Sequence, residues 1–102
     1  MNERAFSYET GDEPGRVVLH GDLDEGATIV FRGVLSELTD GLTKDLTLDF
    51  TDVDLLPSSA VGVIANAQDT ARKQGATLSL VAADGTISAR VLTICGLDYA
   101  TA

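Results

Sequence analysis

Apolar residues in the stretch ATIVFRGVLSEL recur at intervals of three and four: Ala27, Val30, Phe31, Val34, Leu35 and Leu38. That spacing predicts a helix with one apolar stripe. Either Asp24 or Thr28 caps its start, depending on where the first turn begins. Thr39–Gly41 ends it, with Gly41 free to take a positive φ. The period changes to two in DLTLDF (Asp45–Phe50), where Leu46, Leu48 and Phe50 share one side. This is a strand, and the threonine and aspartates between its apolar residues predict an opposite face that is only partly covered. RVVLHG (Arg16–Gly21) reads as another strand, broken by DLDEG (Asp22–Gly26). Phe6–Tyr8 reads as a short edge strand, followed by a turn over Thr10–Gly15.

Pro57 has no N–H to give to a sheet, so regular strand pairing ends by that residue. A second helix is expected from Ser58 or Ser59 to about Gln74. Its buried side is assigned to Val61, Ile64, Ala65, Ala67 or Gln68, and Ala71. Gly62 lies inside it at a cost of about 1 kcal/mol relative to alanine; close approach of the helix to the sheet is the expected reason. Arg72 and Lys73 complement the negative end of the dipole, and Gly75 stops the helix. Ala76–Ala82 is the clearest strand. DGTISARVLTICG reads as a third helix, with Ile87, Val91 and Ile94 as its core stripe, Cys95 as a core residue on its face and Gly96 as its C-terminal stop. The tail LDYATA carries few signals. Strands alternating with helices imply an α/β fold: a mixed, mostly parallel sheet with right-handed crossovers and helices mainly on one face.

Composition narrows the functional classes. The 102 residues fit one domain, with residues 5–15 as its N-terminal edge strand and loop. The net charge of −9 is entirely in the first half: residues 1–54 hold 13 acids and 4 bases, residues 55–102 hold 3 of each. Such a surface repels a phosphate backbone and an anionic membrane, so neither nucleic acid nor membrane insertion is expected. A basic protein partner is favoured. No run approaches the roughly 18 apolar residues of a membrane span, and the N-terminus does not read as a secretory signal. Cys95 is the only cysteine, which excludes an internal disulfide and a cysteine-based zinc site and predicts a reducing, cytoplasmic setting. Self-association into a homodimer is compatible with this composition.

Ser58 and Ser59 sit between an apolar strand and an apolar helix, where a hydroxyl can cap, attack or accept a phosphate. Capping is the plain structural reading. Attack needs a base, and His20 is the only histidine; no Gly-x-Ser-x-Gly elbow is present, so no enzyme activity, cofactor or metal is expected. A phosphate at this point would meet free N–H groups and the positive end of the helix dipole, leaving the fold intact while adding about −1.5 to −2 charges to the surface. Asp22 and Asp24 read as turn and capping acids or as part of an acidic docking face. His20 reads as an ordinary strand residue.

Four blocks in order carry a family resemblance: GDLDEG after a strand, an amphipathic helix, LTLDFTDVDLLPSSAVGVIANA, and GATLSLVAADGTISARVLTICGLD. Together they resemble the STAS domain family from Phe6 to Tyr99, closest in type to the bacterial anti-sigma factor antagonists. The family's Asp-Ser-Ser/Thr-Gly-(Leu/Val)-Gly motif falls on Pro57, Ser58, Ser59, Ala60, Val61 and Gly62. The resemblance implies phosphorylation at Ser59 and a partner-binding face made of Asp22, Asp24, Pro57, Ser58, Ser59, Ala60, Val61 and Gly62. Pro57 replaces the motif's acid, and Ala60 replaces a glycine, adding a methyl expected at the docking surface. The family's final strand and helix are expected to be absent from these 102 residues. The implied mechanism is partner switching: the domain binds an anti-sigma factor with a serine-kinase, ATP-binding domain, releases a sigma factor, is phosphorylated, and is reset by a serine phosphatase. The rival that the resemblance also implies is a non-phosphorylated STAS subunit docked on an ATPase of a lipid-transport or stressosome-like assembly.

Overall fold

The computed structural model describes residues 4–101. The order is β1 (Ser7–Glu9), β2 (Arg16–Asp22), α1 (Glu25–Leu38), β3 (Leu46–Leu55), α2 (Ser58–Lys73), β4 (Leu78–Ala82), α3 (Ile87–Ile94) and β5 (Ala100–Thr101). The five strands form one sheet in sequence order. β1 is antiparallel to β2 and every other pairing is parallel, so the mixed, mostly parallel α/β sheet expected from the sequence is present.

Register explains the division of faces. Val17 lies opposite Leu48, and Leu48 opposite Leu80. With Leu19, Leu46, Phe50 and Leu78 they make the buried face, against which the apolar sides of α1 and α2 complete the core. The intervening residues Arg16, Val18, His20, Thr47 and Asp49 are only half-buried; among them Arg16 Nη2 donates to Asp49 Oδ2 at 3.1 Å, and His20 pairs with Asp52. Three aromatic rings cross the core: Phe6 and Phe31 meet edge-on at 6.3 Å, and Phe31 meets Phe50 edge-on at 6.4 Å.

Several sequence expectations change in the folded chain. β3 runs five residues past Phe50, to Leu55. A register shift between Val18 and His20 and another between Gly21 and Asp22 let the longer β3 stay paired with β2. Gly21 is required there: its φ is +82° and the space a Cβ would need is filled by the carbonyl oxygen of Ala5. α1 buries Thr28, Phe31, Val34 and Leu35, whereas Val30 points outward. One residue turns a helix by about 100°, so Val30 and Phe31 cannot both face the sheet squarely. Thr28 is buried without penalty because its hydroxyl donates to Asp24 O at 2.7 Å. In α2, Ala65 is exposed, and Ala60 and Val63 join the expected Val61, Ile64, Ala67 and Ala71 in the core. α3 turns the opposite way from expectation: Ser88, Ala89 and Leu92 face inward, while Ile87, Ile94 and Cys95 are exposed. Ser88 Oγ reaches Val53 O at 3.4 Å, which places that side of the helix on β3. The tail, which carried few signals, contributes β5 beside β4.

Arg4 ties the N-terminal segment to the end of β3. Its guanidinium donates to Asp52 Oδ1 and Oδ2 at 2.9 and 3.0 Å and to Asp54 Oδ2 at 2.7 Å. These bonds, with a smaller part from His20, lower the Asp52 carboxyl from 3.8 to about 2, and Arg4 lowers Asp54 as well. A carboxyl with a depressed folded-state pKa stabilises above its unfolded value, and that stabilisation is lost as pH falls through the folded value. The window here runs from pH 3.8 down to about 2. Arg4→Ala is expected to flatten the loss of stability across that window, read by denaturant unfolding at a series of acid pH values. Superimposable profiles for the two proteins would show that the fork contributes nothing.

Candidate functional site

The parallel strands β2, β3 and β4 end at one edge of the sheet, and each hands the chain to a helix there. In open α/β sheets this edge is where ligands and partners dock. Leu23 N donates to Leu55 O at 3.0 Å, which brings the Asp22–Asp24 turn beside the Leu55–Ser59 turn. Leu23 and Leu56 are buried and anchor the two turns. The polar residues between these anchors are thereby left on the surface.

Ser58 and Ser59 are both exposed. Neither caps α2. The N-cap is Pro57, at φ −73° and ψ 164°, and it offers no side-chain hydrogen bond. The capping reading of the serines is therefore corrected: the helix begins at Ser58, so the serines occupy its first two positions, where a side chain is past the N-cap geometry. Pro57 O accepts from Ala60 N at 3.0 Å and Val61 N at 3.1 Å. The N–H groups of Ser58 and Ser59 have no acceptor inside the helix, and no acid stands in the first turn. The result is two uncommitted hydroxyls at an uncompensated positive helix end.

The remaining residues of the expected face divide. Asp24 Oδ1 accepts from Ala27 N at 2.9 Å as the cap of α1, so capping is an observed role for it. Asp22 and Pro57 are half-buried. Ala60 and Val61 are buried in the core. This corrects the expectation that the Ala60 methyl lies on the docking surface: the methyl packs inward and serves to seat the helix. Gly62 is exposed, with open space where a Cβ would stand. Close helix–sheet packing, the expected reason for it, is thus overturned.

Two apolar residues at this edge, Ile29 and Leu55, escaped the sequence reading, and a third, Val30, was assigned to the apolar stripe but is exposed. Ile29, 77% exposed, and Val30, 55% exposed, lie on the outer side of α1, and Leu55 is exposed at the end of β3. Arg32, one turn after Ile29, shares a groove with Val63 and Asn66 of α2. The signal was available: three consecutive apolar residues, Ile29–Val30–Phe31, sweep too wide an arc for one helix face to bury.

His20 does not join the serines. Its Nδ1 lies 2.5 Å from Asp52 Oδ2 and its Nε2 lies 3.8 Å from Glu9 Oε1. Among the described residues no group of three or more histidine, cysteine, aspartate or glutamate side chains is placed to hold a metal ion. No helix among them is long and apolar enough to cross a membrane.

The family described as "Mlab, STAS domain" matches residues 6–99. The chain belongs to the STAS domain family. STAS domains are non-catalytic regulatory modules, which agrees with the expectation of no enzyme activity. Two solved structures share the SpoIIAA-like topology. The unphosphorylated anti-sigma factor antagonist SpoIIAA is 23% identical, with a TM-score of 0.67, over 91% of this chain and 82% of that one. The phosphorylated form of SpoIIAA, a Bacillus cell fate determinant, is 22% identical, with a TM-score of 0.63, over 91% of this chain and 85% of that one. At this identity the likeness shows the fold.

In this STAS domain, Gly62 provides a test of what the exposed turn is for. Gly62→Ala is expected to raise stability by about 0.5–1 kcal/mol, because alanine loses less chain entropy in a helix and meets nothing at this position. Denaturant unfolding reads the gain. If the turn is a close-fitting contact surface, the same methyl weakens partner binding in a titration. A variant both more stable and equally tight would remove Gly62 from that surface.

Proposed function

We propose that this STAS domain is an anti-sigma factor antagonist that works by partner switching. It docks through the start of α2 and the Asp22–Asp24 turn on an anti-sigma factor with a serine-kinase, ATP-binding domain. Docking displaces a sigma factor; phosphorylation of Ser59 ends the complex; a serine phosphatase resets it. The observation that carries this reading is the pair of exposed hydroxyls released from capping by Pro57. A phosphate on Ser59 would gain the free N–H groups of its own helix without unfolding it. Asp22, Asp24 and Glu25 supply acids at this edge, and Ile29, Val30 and Leu55 are exposed apolar side chains, a combination suited to a basic partner with apolar contacts.

One feature favours a second reading. Pro57 puts no carboxylate beside the acceptor and removes an N–H that a kinase could hold. The same surface would serve a STAS subunit docked without switching on the ATPase of a lipid-transport or stressosome-like assembly. The two are separated by incubating the domain with the partner isolated from its own source and magnesium–ATP, then measuring intact mass and complex lifetime. Switching requires one added phosphate, lost in Ser59→Ala but retained in Ser58→Ala, together with dissociation. A stable complex and unchanged mass would establish the second reading.

A further inference from the structure

His20 is the only histidine of the chain, and the edge proposed for docking makes no use of it. It lies on the half-covered face of β2, between the edge strand β1 and the longer strand β3, with its side chain 25% exposed. The charged groups around it come from three elements. Asp52 of β3 places Oδ2 at 2.5 Å from Nδ1, and Glu9 of β1 places Oε1 at 3.8 Å from Nε2. Arg4, from the N-terminal segment, is held by Asp52 and Asp54. Arg16 and Asp49, further along β2 and β3, pair with each other.

These contacts decide which ring nitrogen changes its proton. The Asp52 carboxyl, lowered to about 2 chiefly by Arg4, is ionised near neutrality and can only accept. Nδ1 therefore carries a hydrogen and donates it to Asp52 in either state of the ring, and the proton gained or lost belongs to Nε2. That atom is buried and has no hydrogen-bond partner among the described residues. Protonated, it turns an N–H of a cation toward the Glu9 carboxylate. Deprotonated, it is a buried lone pair beside a negative charge, with no donor to meet it.

We infer that the Nε2 proton of His20 is a pH-dependent clamp on the edge strand β1 and on the segment that precedes it. β1 has three residues, all exposed, and β2 is its one strand neighbour. Just before it, Arg4 O accepts from Asp22 N at 3.0 Å and Ala5 bridges to Asp22, so the same segment lies against the Asp22 turn. With the ring charged, Arg4 and His20 face Asp52, Asp54 and Glu9, two cations against three carboxylates. Without the proton Arg4 alone faces the three, and Glu9, on an exposed edge strand, is the one released. Histidine is the side chain that makes this change between about pH 5 and 8. The clamp stabilises β1 where the ring is charged and is lost as pH rises through the ring's titration. It acts within the domain, so it does not depend on the partner-switching reading.

Amide hydrogen exchange of the full chain over that pH range, corrected for the intrinsic pH dependence of exchange, reads the clamp, with the His20 ring followed in parallel by nuclear magnetic resonance. Protection of the Ser7–Glu9 and Asp22 amides is expected to fall about fivefold as the ring loses its proton, while protection of Leu78–Ala82 in β4 holds. His20→Gln, neutral at every pH, abolishes the fall. Glu9→Gln shrinks it while the ring still titrates, a separation that a merely structural His20 would not give. Unchanged β1 protection across the ring's titration overturns the inference. So does a ring that keeps one charge state over the whole range, a fall that persists in His20→Gln, or one of full size in Glu9→Gln.

Discussion

Ser59→Glu is expected to weaken the complex with a kinase-type partner by about tenfold to a hundredfold while leaving the unfolding transition of the domain where it was. The two halves of this expectation have separate causes. Stability is kept because Ser59 is exposed and makes no capping bond, and a carboxylate in the first turn of a helix is favoured by the dipole. Affinity falls because a hydroxyl that accepts phosphate must approach the nucleotide's terminal phosphate during transfer. A fixed negative charge at that place is repelled by the nucleotide and loses its water without gaining a counter-ion. A factor of ten to a hundred corresponds to about 1.4–2.8 kcal/mol, modest for like charges brought together at an interface. Calorimetric titration of both proteins, with nucleotide and without, reads the effect and its origin together. Weakening that vanishes when nucleotide is removed supports transfer geometry. Unchanged affinity in both conditions would remove Ser59 from the interface. Ser58→Glu serves as the control for a charge on the same helix end.

The largest effect on the fold is expected from Phe31→Ala, a loss of about 3–5 kcal/mol. Phe31 is fully buried in α1 and touches aromatic rings on two sides, Phe6 and Phe50. Truncation removes the transfer energy of the ring and leaves a cavity between helix and sheet. Neither the edge segment carrying Phe6 nor the centre of β3 can move freely to fill it, since both are held by backbone pairing or bonds to neighbouring strands. Against a typical total of about 5–15 kcal/mol, this is a large part of the stability. Urea unfolding measures it. A loss below about 1 kcal/mol would mean that the site collapses around the missing ring. Val30→Ala, one residue earlier on the exposed side, should change stability by no more than about 0.5 kcal/mol.

The order of elements was legible because it rests on local spacing. Leu46, Leu48 and Phe50 alternate, Phe31, Val34, Leu35 and Leu38 recur at helical intervals, and Pro57 and Gly75 punctuate the chain. The turn that carries the proposed site was legible for the same reason: the strand-to-helix passage at Pro57–Ser59 is a local event. The details of the site were less so. The sequence offers two serines where a cap is common, and nothing in it says that the chain enters the helix one residue earlier, through Pro57. Ala60 and Gly62 were read by their size, yet their roles depend on which way α2 is rotated on the sheet. Ile29 and Leu55 were passed over because a pattern that assigns apolar residues to the core has no place for exposed ones.

By itself the sequence determined the alternation of strands and helices, the mostly parallel sheet that follows from it, the asymmetry of charge and the turn that carries Ser59. Each depends on residues within a few positions of one another, or on composition. The tertiary structure alone decided which side of each helix is buried, that Cys95 and Ile94 face out, that Asp22 lies beside Leu55, and that residues 100 and 101 make an edge strand. Rotating a helix about its axis leaves its own hydrogen bonds untouched, so its local periodicity tolerates several settings. α3 shows how the choice is made: Ser88, Ala89 and Leu92 are buried on the side facing β3, Val91 packs at the margin of the core, and the bulkier Ile87 and Ile94 are turned away. Packing between elements distant in sequence makes that choice, and no window of neighbouring residues contains it.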